Sequence, residues 1–268
     1  MTAMPDALDN EPPVRRRQAA PGVVVLTLNR PTAYNSLSST LMTALEAELA
    51  QLRDDKAARV VVLEGSGPGF CAGHDLKEVR GLADTAARRS LMAQCCRLMQ
   101  GIVEHPKPIV AKVHGTASAA GCQLVASCDL AVAADDARFA TPGVNIGLFC
   151  HTPMVALGRN VARKHAMEML LTGEMMDAAT AARFGLINRA VPRSELEGAT
   201  LALAGGIASK SSHTLKLGKQ AFYKQLDMDL AEAYAYASEV MLENLLAADA
   251  AEGMGAFIEK RPPVWQDR

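Results

Sequence analysis

Gly69-Phe70-Cys71-Ala72-Gly73-His74-Asp75-Leu76-Lys77-Glu78 is the stretch from which the fold can be read. The apolar run Val60-Val61-Val62-Leu63 before it reads as a buried strand, and Gly65-Ser66-Gly67-Pro68 as a turn. After it, Leu76-Lys77-Glu78-Val79 has helical character, with Asp75 placed as an N-cap. The stretch is a strand–loop–helix element whose loop is built from small residues. Small residues let a ligand approach the backbone, and amides ahead of a helix start have no intrahelical partner. Such a loop either holds a negatively charged oxygen or is a tight connection with no ligand.

A second element repeats the pattern. Ile109-Val110-Ala111-Lys112-Val113 reads as a strand, Gly115-Thr116-Ala117-Ser118-Ala119-Ala120-Gly121 as a small-residue loop, and Cys122 to Ser127 as an apolar helix. Both loops would present free amides at the same edge of a parallel sheet, where such sheets bind ligands. Two amides converging on one oxygen make an oxyanion hole. Neither loop is a nucleotide motif: there is no Gly-Lys-Ser/Thr, and Gly65-Ser66-Gly67-Pro68-Gly69 lacks the dinucleotide spacing.

Outward from these loops, Val23 to Leu28 reads as a strand stopped by Asn29-Arg30-Pro31. Leu41, Leu45, Leu49 and Leu52 repeat at helical spacing behind Ser38, and a long helix over 85–104 is broken by His105-Pro106-Lys107-Pro108. Leu130 to Ala133 and Arg138 to Ala140 are strand-like, and from Val161 onward the pattern is helical. Strands alternating with helices predict an α/β protein with a largely parallel sheet. Residues 1–21, polar, rich in Pro and Ala and containing Arg15-Arg16-Arg17, are expected to form a disordered, solvated leader. Leu230, Tyr234, Ala237, Met241 and Leu245 would leave an apolar helix face that calls for another copy of the chain.

Composition narrows the class. The chain has 268 residues, 49% of them hydrophobic, enough for a core that needs no staples. A net charge of −1 without an extended basic or acidic block indicates neither nucleic acid nor a membrane surface as partner. No apolar run approaches the ~20 residues of a membrane span. Asp6, Asp9 and Glu11 fit neither a secretory nor a transit peptide, so a cytoplasmic protein is expected. Cys71, Cys95, Cys96, Cys122, Cys128 and Cys150 show no metal-binding spacing, so reduced thiols and no metal are expected.

Taken together, Leu28-Asn29-Arg30-Pro31 with Asn35, Phe70 to Lys77, Lys107 to Ala111, Gly121-Cys122-Gln123-Leu124 with Cys128-Asp129, and Phe257 to Arg261 resemble the enoyl-CoA hydratase/isomerase (crotonase) superfamily. The resemblance runs from about Val23 to Trp265. Gly73 to Glu78, Ala119 to Asp129 and Thr141 to Cys150 are similar to one narrower subgroup of it. The resemblance implies a crotonase (ClpP-like) spiral of ββα units over 22–194, and a C-terminal helical trimerisation region over 195–268, often assembling as a dimer of trimers. It implies an acyl-CoA thioester as ligand, with coenzyme A part of the substrate and no separate cofactor. The backbone amides of His74 and Ala120 would hold the thioester oxygen as it gains enolate charge. Thr32, Ala33, Ala72, Gly73, Asp75, Leu76 and Lys77 would line the adenine and pantetheine path, with Gly121 in the second loop. Phe257 and Lys260 would reach a neighbouring subunit's ligand.

Two positions depart from the family's pattern. Its hydratases use two glutamates, one to activate water and one to protonate the α-carbon. They fall at Gln123 and Gly143 here, and neither residue transfers a proton. One acid–base group is worth ~10²–10⁴ in rate, so weak or altered hydratase activity is expected. Both positions are expected to accept Glu without rebuilding a core, Gly143 with strain if it holds a positive φ. A silent acyl-CoA binder, a thioester hydrolase and a decarboxylase stay open as alternatives. Cys150-His151 lies past Gly143, either as a nucleophile pair or as a half-buried Cys beside a loop His. Neighbours in a strand point opposite ways, which disfavours the pair. Asn145 could hold a water or a substrate carboxylate. The side chain of His74 is read as packing over the ligand or facing outward, and the remaining histidines as structural.

Overall fold

The computed structural model describes residues 11–268. In chain order the strands are β1 Val14–Ala20, β2 Val23–Leu28, β3 Val60–Gly65, β4 Ile109–Val113, β5 Thr116–Ser118, β6 Leu130–Ala134, β7 Arg138–Ala140, β8 Met176–Asp177 and β9 Arg189–Val191. The helices are α1 Ser39–Asp54, α2 Leu76–Gly81, α3 Thr85–Val103, α4 Ala120–Ser127, α5 His151–Asn160, α6 Arg163–Thr172, α7 Ala178–Phe184, α8 Leu196–Ala208, α9 Ser212–Gln225, α10 Leu230–Leu245 and α11 Ala248–Glu259.

One sheet has the order β1-β2-β3-β4-β6-β9 and the other β5-β7-β8. In the larger sheet only β1 runs antiparallel to its neighbour. Successive strands alternate between the sheets: β4 then β5 before α4, and β6 then β7 before α5. Earlier in the chain the second-sheet strand has shrunk to single bridges, Cys71 with Ala117 and Leu37 with His74. This is the expected spiral of ββα units, and its short second-sheet pieces carry both small-residue loops.

The alternation of side chains along β2 and β3 puts apolar residues on both faces. Val24, Leu26, Leu28, Val61 and Leu63 join the main core with α1, α3 and α4. Val23, Val25, Val60 and Val62 pack on Ala204 and Ala208 of α8. Helix α8 is therefore part of the core layer, and a boundary at 194/195 cuts through a packed unit.

The leader reading also changes. Residues 1–10 lie outside the described residues, but Val14–Ala20 is a strand paired with β2. Arg16 pairs with Asp55, and Arg17 with Glu64 and Glu197, so the basic triplet belongs to a charged edge strand. Compositional reading sees the charge but not the carboxylates that meet it. Strands β5, β8 and β9 and helix α5 were likewise not apparent in the sequence pattern, the strands being two or three residues long.

At the C-terminal end, Asp249 is 1% exposed and accepts from Ser211 Oγ (2.5 Å), Gln266 N (2.6 Å) and Asp267 N (2.9 Å). Burial pushes its carboxyl up, but these bonds outweigh it and hold it below the ordinary 3.8. A depressed folded-state value gives stability that is present above pH 3.8 and lost as pH falls through the folded value. Acid is thus expected to release the tail at a cost on the order of 2 kcal/mol, a loss that Asp249→Asn makes independent of pH in this range. Denaturant titrations from about pH 5 down to about pH 2, which span the ordinary carboxyl value and the range below it, check this.

Candidate active site

The two small-residue loops are laced to each other. Phe70 N and Cys71 N both donate to Thr116 O at 3.1 Å, and Ser118 N donates to Cys71 O at 2.9 Å. Gly121 packs so closely that a Cβ there would stand 2.0 Å from Cys71 O. Gly73 has φ +95°, and a Cβ on it would stand 2.9 Å from Ala119 Cβ and 3.3 Å from Ala120 N. Only glycine satisfies both conditions at 73, and it brings the backbone just ahead of His74 against the Ala119–Ala120 backbone.

Neither amide has a backbone partner among the described residues. Around His74, Leu37 N donates to Gly73 O and Asp75 N to Leu37 O, leaving the N–H between them free. Ala120 opens α4, so its N–H has no partner within the helix. Ala119 precedes it at φ 50°, ψ −115°, a strained conformation for a residue with a Cβ, and it sets the plane of the Ala120 amide.

Residues outside the loops hold this arrangement. Asn35 Oδ1 accepts from Arg30 N (2.9 Å), while Nδ2 donates to Ser66 O (2.8 Å) and Gly69 O (2.9 Å). The Arg30 guanidinium donates to Asp75 Oδ2 at 3.0 Å, and Asp75 also caps α2 by accepting from Lys77 N and Glu78 N. Burial pushes the Asp75 carboxyl up, but Arg30 and the α2 amides outweigh it and keep it below its ordinary range. The Asn29-Arg30-Pro31 … Asn35 stretch thus acts as a clamp on the His74 loop.

A cavity of about 650 Å³ opens beside the two amides, with Leu76, Val79, Leu91, Met92, Leu148 and Phe149 among its apolar walls. His74, Ala120, Gly143, Asn145, Cys150 and His151 also border it, as do Ala72 and Leu76, so these expected residues do come together. Among the described residues no Asp or Glu lines it. Nδ1 and Nε2 of the His74 ring are both buried out of contact with the open space of this cavity, and neither makes a hydrogen bond of good geometry. Burial, partly offset by the Leu37 backbone and the Glu78 charge, holds its imidazole below the ordinary value.

Other expected residues stand apart. Gly73, Asp75, Lys77, Gly121 and Gln123 are not in the cavity wall. Gln123 is 4% exposed, and its Oε1 is buried with no partner. Thr32 and Ala33 belong to a short 3-10 helix, Pro31–Ala33, joined to the loop through Ala72 N and Tyr34 O at 3.0 Å. Phe257 lies on α11 and is 85% exposed, with Lys260 capping that helix at φ 56°.

Cys150 and His151 are not on a strand: Cys150 caps α5 and His151 is its first residue. Burial pushes the Cys150 thiol up, the reverse of what a nucleophile needs. Cys71 and Cys122 are pushed to about 12 by burial, and all six cysteines are free. His105 is buried on Leu49 O and pushed down to about 4 by burial, a structural role as read from the sequence. Among the described residues no His, Cys, Asp or Glu cluster could hold a metal ion. The apolar walls contributed by α2, α3 and residues 146–149 were missed, because a cavity wall and a core face have the same sequence pattern.

The spiral, the laced loops and the apolar cavity define a crotonase-fold protein. Residues 18–268 match the enoyl-CoA hydratase/isomerase family, and the chain belongs to it. Within that family it is similar to the enoyl-CoA hydratase domain-containing protein 3, mitochondrial, of Rattus norvegicus: 46% identity over 98% of this chain and 88% of the relative. The Homo sapiens protein of that name is 44% identical over 96% of this chain and 85% of its own. A solved enoyl-CoA hydratase of Mycobacterium smegmatis superimposes with a TM-score of 0.93 at 48% identity, covering 95% of this chain and 99% of that one. The human domain-containing protein 3 structure gives 0.91 at 45%, covering 94% and 100%. Among the described residues no helix is long and apolar enough to cross a membrane.

Proposed function

We propose that this protein binds an acyl-CoA thioester and stabilises its enolate between the His74 and Ala120 amides, as an enoyl-CoA hydratase/isomerase-type lyase with weak or altered hydratase activity. The observation that carries it is the pair of unpartnered amides facing an apolar cavity. Charge developing on the thioester oxygen would meet two fixed N–H donors and the positive end of α4 beside the apolar cavity wall. Coenzyme A enters as part of the substrate, and the reading needs no further cofactor. The absence of a carboxylate from the cavity wall favours a second reading, a silent acyl-CoA binder, over an efficient hydratase. Loss of the enoyl-thioester absorbance of crotonyl-CoA, run beside a calorimetric titration, separates them: turnover supports the enzyme, binding without turnover the binder, and no binding overturns both.

Backbone recognition has a specific consequence. His74→Pro removes the N–H and is expected to weaken acyl-CoA binding about tenfold more than His74→Ala, roughly the value of one hydrogen bond. Equal losses, with circular dichroism unchanged, would move the role to the side chain.

In this reading the chain also assembles as a trimer or a dimer of trimers. Leu230, Tyr234, Met241 and Leu245 stand exposed along α10, and Phe257 is free to reach a neighbour's ligand. Light scattering is expected to give a trimer or hexamer; a monomer at micromolar concentration removes the shared site. The compartment is taken as the cytosol, and fractionation against a mitochondrial marker decides it, since the rat and human relatives are titled mitochondrial.

A further inference from the structure

The proposed function leaves its proton transfers without a carrier. Among the described residues that border the cavity, the side chains that ionise are those of His74, Arg88, Cys150 and His151. Three of them are unfit to exchange a proton with a ligand. The ring nitrogens of His74 are buried out of contact with the cavity's open space. A guanidinium such as that of Arg88 does not give up its proton in a protein. Burial pushes the Cys150 thiol up, so it stays protonated at neutral pH. His151 is the fourth, and it is exposed. Its ring lies beside that of Phe149, a cavity wall, with the centroids 5.2 Å apart. Its backbone is fixed at the start of α5, with His151 N donating to Phe149 O at 2.8 Å. Imidazole is the side chain that ordinarily changes charge between about pH 5 and 8, and in its neutral form it offers a free lone pair.

We infer that His151 is the acid–base residue of this site, moving protons to and from the α-carbon of the bound acyl thioester. This deepens the acyl-CoA reading and rests on it. The unprotonated ring nitrogen takes a proton from the α-carbon. The C–H electron pair forms the carbon–carbon double bond of the enolate, and the carbonyl pair moves onto the oxygen held by the His74 and Ala120 amides. Reversal returns a proton from the imidazolium to the carbon and restores the carbonyl. With an enoyl thioester, the same nitrogen takes a proton from water as the water oxygen bonds to the β-carbon. The imidazolium then delivers that proton to the α-carbon. Neither sequence needs an oxidant, a reductant or a further co-reactant.

Exchange of the α-hydrogens of butyryl-CoA in deuterium oxide, followed by NMR with the full chain, tests this. The exposed imidazolium trades its proton with solvent, so deuterium is expected to enter the α-carbon faster than in buffer alone. His151→Gln keeps a polar side chain but carries no proton, and is expected to slow the exchange ~10²-fold or more. Calorimetric titration of that variant with butyryl-CoA is expected to give unchanged binding. His151→Glu, which restores a proton carrier at a helix start that favours an acidic residue, retains part of the exchange. Exchange undiminished in His151→Gln overturns the inference while leaving acyl-CoA binding standing. An equal loss of binding in that variant makes His151 a ligand-holding group and overturns it too. Binding without any exchange in the unsubstituted protein overturns it in favour of the silent binder. Failure of butyryl-CoA to bind overturns the acyl-CoA reading itself, and this inference with it.

Discussion

Gly121→Ala is expected to destabilise the protein by ~3 kcal/mol and to abolish acyl-CoA binding, although alanine is the better helix former. The reason is the contact at Cys71: the new methyl would stand 2.0 Å from its carbonyl oxygen and 2.7 Å from the carbonyl carbon. No rotamer relieves a clash between Cβ and backbone, so the two loops must part. Cys71 O already accepts from Ser118 N, and parting them breaks that bond and separates the amides of His74 and Ala120. Gly101→Ala is the control. It lies inside α3 with nothing within 4 Å of its would-be Cβ, so propensity alone acts and a gain of ~0.5–1 kcal/mol follows. Urea denaturation of both variants gives opposite signs; a neutral or stabilising Gly121→Ala would mean that the loops are not in contact.

What the sequence made legible follows from the range of the interactions. Ser38 and Asp75 cap helices as read, because capping spans three residues. The strands at 23–28 and 60–65 were legible as apolar runs because both of their faces are buried. Strand β1 was not, since its arginines are matched by Asp55, Glu64 and Glu197 from distant parts of the chain. In the site, the loops announced themselves by small residues, and the family's motifs marked His74 and Ala120. The burial of the His74 ring nitrogens did not show, because it is set by the folded surroundings and not by the loop's own residues. Nor did the role of Arg30, whose bonds to Ser36 O and Asp75 make it a clamp on the loop.

The missing carboxylates are expected to resist replacement. Gln123→Glu with Gly143→Glu should raise crotonyl-CoA hydration by less than about tenfold, where a working acid–base group contributes ~10² or more. The obstacle at 143 is space and not conformation, contrary to the expectation of a strained φ: the residue lies outside the positive-φ region. A Cβ there would stand 2.6 Å from Leu148 O and 3.0 Å from Cys150 Sγ. Leu148 N donates back to Gly143 O at 2.9 Å, so the turn is closed on itself and a side chain forces residues 143–150 to open. That segment carries the Leu148 and Phe149 walls of the cavity, so the site would deform as the carboxylate arrives. At 123 the difficulty is electrostatic. The Gln123 side chain is buried with an unpaired oxygen, so an introduced carboxyl would be desolvated and held protonated, unfit as a base. The double variant should also lose ~3 kcal/mol or more in denaturant titration. A gain of about 100-fold in hydration with an unchanged circular dichroism spectrum would overturn this, and would show that the pocket retains a hydratase's geometry with only its acid–base groups exchanged.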